Sequence, residues 1–385
     1  MADELFQRIS FLIDSKIIKT ITPSIKLKSS EILNEGNTPV ISQDKQYIIG
    51  YSNEIDKKLN QPPYIVFGDH TEIIKWVPFS FLQGADGIKV LKSTNENKIN
   101  NIFLYYALKN FYNPTGFYQR HFKNLKRTYI PTYKTETQTK IVSILSKYDE
   151  LIENNNKRIK ILESMAESIY KEWFVRFRFP GYERVAYKIQ TAIGWSFGSN
   201  NTLQKIPMNW SFGELKNIAV FKKGTNITIG EIIKGEVPVI SAGLEPMGFH
   251  NQANVTGYNL TVSASGANAG YLNYHLEDIW AADCSYYQND QIIWFVYNAL
   301  KFLQPVISNM QVGSAQPHVY AKNLNKIYTI IPDKNIISLF MKNAKPIYEH
   351  IKILKNKNNA LSQQRDALLP KLMSGKIDLE HKEVI

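Results

Sequence analysis

The side chains of this chain best placed to do chemistry by type and spacing are two histidines set in one repeated phrase. "GFYQRH" runs from Gly116 to His121 and "GSAQPH" from Gly313 to His318, and both spell Gly-x-x-Gln-x-His. A histidine in such a loop could act as a general base, but neither His121 nor His318 has a nucleophile paired with it in sequence. With one cysteine, Cys284, and seven scattered histidines, no zinc-ligand spacing occurs. No Gly-x4-Gly-Lys-Ser/Thr loop is present to cradle a nucleotide. "PDK" at Pro332 to Lys334 lacks the acidic-x-Lys that would continue a metal-dependent nuclease motif. The chemistry that remains is hydrogen bonding, so the chain is expected to bind rather than catalyse.

"QPPY", Gln61 to Tyr64, is similar to the Asn/Asp-Pro-Pro-Tyr signature of amino-group DNA methyltransferases. In that signature the first side chain and a backbone carbonyl accept hydrogen bonds from the target amine. Here Gln is one methylene too long, and no glycine-rich strand-turn-helix for S-adenosylmethionine accompanies it. A turn leading into a strand is the expected reading.

The elements that must position these residues are themselves written twice. "GNTPVIS" (Gly36 to Ser42) returns as "GEVPVIS" (Gly235 to Ser241), 199 positions later. Each histidine phrase is followed by Asn-Leu (Asn124-Leu125, Asn323-Leu324) and then Ile-Pro (Ile130-Pro131, Ile331-Pro332). Beyond each Ile-Pro lies a long helical pattern. The first carries an apolar seam at Ile141, Leu145, Tyr148, Ile152, Asn155, Ile159, Leu162, Ala166, Ile169 and Trp173. The second repeats it at Phe340, Ala344, Ile347, Ile351, Leu354, Asn358, Leu361, Arg365, Leu368 and Leu372. Steps of four and three mark coiled-coil helices. If they run antiparallel, Asn155 falls opposite Asn358, and an amide pair there would fix register; two independently tolerated Asn residues are the alternative.

The spacing predicts an α+β chain with two similar mixed α/β domains, two long antiparallel coiled-coil helices and a pseudo-twofold internal repeat. The expected segments are a first domain over 1–135, a helix over 136–177, a linker over 178–205, a second domain over 206–334, a helix over 335–376 and a tail over 377–385. Tyr47 to Ile49, Pro63 to Phe67 and Asn259 to Val262 read as strands. Gly68-Asp69, Gly84 to Gly87 and Ser265 to Asn268 read as turns. Asn101 to Lys109 and Asp290 to Leu303 read as one amphipathic helix per domain.

The net charge of +12 favours a polyanionic partner, nucleic acid before membrane, although an AT-rich genome would produce a similar lysine bias. No apolar run is long enough to span a bilayer, and one cysteine suits a reducing cytoplasm. A seam of about 33 residues at ~1.5 Å each would make a ruler of roughly 50 Å, at most about one and a half duplex turns. Two readers on such a ruler predict a split DNA target. Candidate contacts to DNA are Gln43, Lys45, Asp69, His70, Thr71, Tyr118, Gln119, Arg120 and His121 in the first domain. Ser265, Asn268, Gln316 and His318 are their counterparts in the second. The same glycines, glutamines and histidines could instead fix a shared turn, and both roles stay open.

"TQTKIVSILSKYDELIENNNKRIKILESMAESIYKEWFVRFRFPGYE" (Thr137 to Glu183) resembles the central conserved region of type I restriction–modification specificity subunits. "SQQRDALLPKLMSGKIDL" (Ser362 to Leu379) resembles their distal conserved region, and Val66 to Leu91 and Leu260 to Tyr274 resemble two of their target-recognition domains. The resemblance implies a non-catalytic subunit with no cofactor of its own. Two methyltransferase subunits would bring S-adenosylmethionine, and restriction subunits would bring ATP and Mg. The second apolar edge of the first helix, Ile144, Leu151, Ile161, Met165, Tyr170 and Phe174, would then carry the methyltransferases or merely widen the seam. "MADELFQRISFLIDSKIIKT" at the start matches the family's usual domain preface less well than Ile206 to Gly224 does. A standalone bipartite DNA-binding regulator is the competing reading, and a methyltransferase with a degenerate motif at Gln61 to Tyr64 is a third.

Overall fold

The computed structural model describes residues 5–84, 87–117, 119–192, 202–310, 317–377 and 379. Tyr118 and Gln316 lie outside the described residues. The chain divides into two compact units, residues 1–154 with 357–385, and residues 155–356.

In the first unit, β1 (Phe6–Arg8) leads into α1 (Ile9–Asp14), β2 (Ile18–Ile21), β3 (Thr38–Ile41) and β4 (Gly50–Ser52). There follow β5 (Tyr64–Gly68), β6 (Ile74–Val77), β7 (Leu82–Gln83), β8 (Ile88–Ser93), α2 (Asn101–Phe111), α3 (Phe122–Arg127) and β9 (Tyr129–Pro131). One sheet has the order β2-β8-β5-β6 and is antiparallel; a second, β4-β3-β7, contains a parallel pair, β3 with β7. β5 is apolar along its length because both faces are covered. Ile65 and Phe67 pack in the core that holds α2, while Tyr64 and Val66 meet Ile41 and Phe81. α2 begins at Asn100, whose side chain accepts from the Ile102 and Phe103 amides at 2.9 and 3.1 Å.

The second unit repeats this plan. It contains β10 (Tyr187–Ala192), β11 (Thr202–Pro207), β12 (Ser211–Glu214), β13 (Lys222–Lys223), β14 (Lys234–Ile240), β15 (Gly248–His250) and β16 (Asn259–Ser263). Then come β17 (Leu272–His275), β18 (Trp280–Ala281), β19 (Cys284–Tyr287), α5 (Ile293–Phe302), α6 (Gln304–Ser308), α7 (Ala321–Leu324) and β20 (Tyr328–Ile331). The sheet orders β13-β19-β16-β17 and β15-β14-β18 match the first unit strand for strand, including the parallel pair. The lead-in strands match as well. β1 pairs β9 with Gln7 opposite Ile130, and β12 pairs β20 with Phe212 opposite Ile330. The divergent opening of the chain therefore forms the same strand as the well-patterned one, because the pairing is made by backbone.

Two sequence expectations change. Tyr47 to Ile49 is loop, and the strand starts at Gly50, since the Tyr47 hydroxyl is drawn to the Trp76 carbonyl instead. The stretch expected as linker contains a hairpin, β10 with β11, in register from Tyr187 opposite Pro207 to Ala192 opposite Thr202. Phe179 and Ala192 from that stretch are buried in the second unit's core. Pro, Gly and Asn break the period there without preventing the pairing.

The long helices are α4 (Thr135–Tyr170), continued by a π-helical turn at Lys171–Val175, and α8 (Lys334–Met373). Every seam position named above is buried or half-buried, Asn155 and Asn358 included. In the first unit the helices run antiparallel. Arg365 pairs with Asp149, and the Tyr133 hydroxyl donates to the Met373 carbonyl at 3.1 Å. They also run antiparallel in the second unit, where Arg158 meets His350 at 3.2 Å and the rings of Tyr170 and Phe340 lie 6.2 Å apart. Of the apolar edge expected to face partners, Leu151, Ile161 and Met165 are about half exposed, and Ile144 is half-buried against the first core. Tyr170 and Phe174 do not belong to that edge. Both are fully buried among Phe295 and Phe340, because the domain covers that end of α4.

Two outcomes follow from this packing. Leu372→Ala should destabilise the first unit by about 2–5 kcal/mol in urea unfolding, since Leu372 shares a core with Ile141 and Leu145. In the second unit, His275 bonds Thr261 at 2.8 Å, and burial, aided by the Lys355 charge, pushes its pKa down to about 4. The unfolded chain then binds a proton between about pH 6.5 and 4 that the folded unit refuses, so stability is full above that window and falls as pH drops through it. His275→Gln should remove about 3 kcal/mol of the acid loss seen between pH 7 and pH 4.

Candidate nucleic-acid interface

In the first unit, four loops meet where the two sheets end: residues 42–47, 68–72, 84–87 (its middle two outside the described residues) and 113–121. Their bonds are mostly to one another. The Thr71 hydroxyl donates to the Gln43 carbonyl at 2.6 Å, and the His70 amide donates to Gln43 Oε1 at 3.1 Å. Asp69 joins three segments. Its amide donates to the Gly87 carbonyl (2.6 Å), its carbonyl accepts from the His121 amide (2.8 Å), and its carboxylate accepts from the Phe122 amide (2.8 Å). Gly87 has φ +100°, and a Cβ there would lie 2.6 Å from the Gln43 side-chain amide, so glycine is required. Lys75 is buried beneath the first loop, its Nζ donating to the carbonyls of Ser42 (2.9 Å) and Gln46 (2.7 Å). Burial pushes its pKa down to about 8 despite the nearby Asp44.

The loop that carries the first repeated phrase is held by a carboxylate the sequence reading missed. Glu72 is buried and has φ +58°. It accepts from the Tyr112 hydroxyl (2.6 Å), the Thr115 amide (2.9 Å) and the Gly116 amide (2.9 Å), and it lies 3.1 Å from His121 Nδ1. Burial alone would raise this carboxyl; the Tyr112 hydroxyl, the two amides and His121 outweigh it and hold it below the usual carboxylate value. His121 is fully buried, and its Nε2 donates to the Phe117 carbonyl at 2.6 Å. Above this buried hub the loop is open. Phe117, Gln119 and Arg120 are exposed.

The second unit builds the same junction with other residues. The Ala264 amide donates to the Asp283 carbonyl (3.3 Å) and the Val319 amide to the Ala264 carbonyl (3.0 Å), as the Asp69 and His121 amides do in the first unit. The Gly266 amide donates to the Pro317 carbonyl at 3.1 Å, and the Ser265 hydroxyl donates to the Asp283 carboxylate. Asn268 is half-buried, its carbonyl accepting from the Tyr271 amide at 2.9 Å. His318 is half-buried, with its ring stacked on Tyr320 at 5.4 Å and 4°.

The candidate residues therefore separate into groups. Lys45, Thr71, Gln119 and Arg120 are exposed, and Gln43, His70, Ser265, Asn268 and His318 are half-buried at the same two junctions. Asp69 and His121 are buried and committed to their own loops. The two histidines are not equivalent in space. His121 stands immediately before α3, whereas His318 stands three residues before α7 and Val319 takes the buried place. Phe117, Glu72, Lys75, Asp283 and Tyr320 were missed. Glu72 meets Thr115 from 43 residues away, a distance over which no local pattern signals a pair. At "QPPY", the Gln61 amide donates to the Tyr64 hydroxyl at 2.7 Å, and Tyr64 packs in a core, so the phrase is a strand lead-in.

Comparison with known proteins agrees with the duplicated fold. The model of the type I restriction modification DNA specificity domain matches twice, over residues 17–164 and 207–370. The MjaIX type I restriction enzyme specificity subunit of Methanocaldococcus jannaschii is 27% identical over 66% of this chain and 62% of its own length. The HindI specificity subunit of Haemophilus influenzae is 25% identical over 63% of this chain and 67% of its own. The match thus spans less than two thirds of the M. jannaschii subunit's length, 62%. A crystal structure of a type I restriction–modification S subunit from M. genitalium shares the fold, with a TM-score of 0.50 and 19% identity over 96% of this chain and 95% of that one. Two copies of one family domain, each coinciding with one copy of the repeated topology, place this chain in the type I restriction–modification DNA specificity family.

Proposed function

We propose that this chain selects the DNA sequence for a type I methylation complex, each loop junction reading one half of a split double-stranded target. The observation that carries the reading is the junction itself, built twice at the same place in a repeated topology with different side chains at each copy. Identical scaffolds with different readers suit two different half-sites. Gln119 and Arg120 supply paired donors and acceptors for base edges in the first half-site, and Lys45 supplies charge for the phosphates. Ser265, Asn268 and His318 stand at the corresponding place for the second, and the basic excess of the chain favours the polyanion.

The chemistry in this reading belongs to partners. Two methyltransferase subunits transfer a methyl group from S-adenosylmethionine and dock on the exposed apolar residues Leu151, Ile161 and Met165. Restriction subunits, where they join, use ATP and Mg. The chain itself is non-catalytic and holds no cofactor. Among the described residues no helix is long and apolar enough to cross a membrane, in keeping with a cytoplasmic role.

Methylome sequencing of cells carrying this chain with its cognate methyltransferase tests the reading. A split motif with an unread spacer is expected, and a continuous motif would defeat it. Exchanging residues 1–135 for those of another specificity subunit should change one half of the motif and leave the other. Glu72→Ala should leave a set of buried donors unmet and destabilise the first unit by about 3 kcal/mol in chemical denaturation, with the second unit unchanged.

A further inference from the structure

We propose that Phe117 determines specificity in the first half-site by packing on a thymine C5-methyl group in the major groove, from a loop that Glu72 positions before DNA arrives. The proposal rests on the DNA-reading function argued above. Phe117 is 74% exposed, although the loop that bears it is tied to the protein on both sides. The Gly116 amide is held by Glu72 at 2.9 Å, and the Phe117 carbonyl accepts from the buried His121 ring at 2.6 Å. Gly116 itself has φ +73° with nothing within 4 Å of where a Cβ would stand, so the turn is set by backbone rather than by side-chain packing. A loop fixed this way cannot fold its phenyl ring into the core, and its ordering cost is met before binding.

The surroundings favour nucleic acid over a protein partner. Arg120, Lys123 and Arg127 are exposed close to Phe117 in sequence, and Lys89 and Lys126 lie over the Phe122 ring at 5.6 and 5.4 Å. Among the described residues none of these cations forms an ion pair, and the carboxylates bonded to this loop, Asp69 and Glu72, are buried. An apolar ring flanked by exposed, unpaired cations, with the loop's own carboxylates turned inward, matches a polyanion that carries apolar groups between its charges. In the major groove that group is the thymine methyl, which Gln119 and Arg120 could not read by hydrogen bonding.

The test uses the full chain assembled with its methyltransferase partner and duplexes bearing the motif found by methylome mapping. Each thymine of the first half-site is replaced in turn by deoxyuridine, which removes only the methyl group, and affinity is read by fluorescence anisotropy. The wild-type complex should lose about tenfold in affinity at one position. Phe117→Ala should start about tenfold weaker on the unmodified duplex and lose nothing further at that position. Glu72→Gln, which touches no DNA, should weaken the first half-site and leave second half-site discrimination unchanged. If Phe117→Ala binds as the wild type does, the ring serves another partner and the proposal falls. It also falls if the variant keeps the full response to deoxyuridine. A continuous motif in the wild type would instead overturn the underlying function, so the two failures are distinguishable.

Discussion

Neither domain of this protein closes its core without both long helices, and the rest of the structure depends on that. In the first unit Ile141 and Leu145 of α4 and Leu369, Leu372 and Met373 of α8 belong to one apolar cluster with α2 and the four-stranded sheet. In the second, Ala166, Tyr170 and Phe174 join Phe340, Ala344 and Tyr348 around α5. A domain of this size buries too little apolar surface alone to leave such helix faces in water. The seam residues are therefore shared core, and their spacing is constrained by two partners at once.

The polar contacts at the helices show how the duplicated copies diverged while the packing held. In the first unit Tyr106 of α2 donates to Asp149, which also receives Arg365. In the second unit α5 bonds α8 instead, Asn298 donating to the Tyr348 hydroxyl at 3.1 Å while Tyr348 stacks on Trp294 at 3.7 Å. The same replacement is visible under the loops. Lys75 stands opposite Val66 and supports two carbonyls, whereas Asn273 stands opposite Thr261 and its carboxamide accepts from the adjacent Tyr274 amide. Apolar contacts are non-directional and tolerate such changes; hydrogen-bonded groups must change with their partners.

What sequence reasoning recovers here divides along that line. Helical period, seam positions, the helices near Asn101 and Asp290 and the strands at Tyr64 and Asn259 all follow from apolar spacing, which is local. The hairpin at Tyr187 to Pro207 escaped because it lies where turn-forming residues dominate. Tyr170 and Phe174 fit an outward helical edge by spacing, yet Phe295 and Phe340, more than a hundred residues further on, cover them. Burial of a helix edge depends on what packs over it, and period alone does not state that.

The sequence by itself determined that the chain is a duplication, that each copy ends in a seam-bearing helix, and that its polar loops suit binding rather than catalysis. Repetition and periodicity are carried by nearest-neighbour spacing, which a single chain displays in full. Only the tertiary structure decided which of the repeated polar residues are free to meet a ligand. His121 and Asp69 look like readers in one dimension and are supports in three, because Glu72 and Gly87, from other loops of the chain, bond His121 and Asp69 respectively. Phe117 looks like a core residue by type and is exposed, because the same supports keep its loop from closing over it.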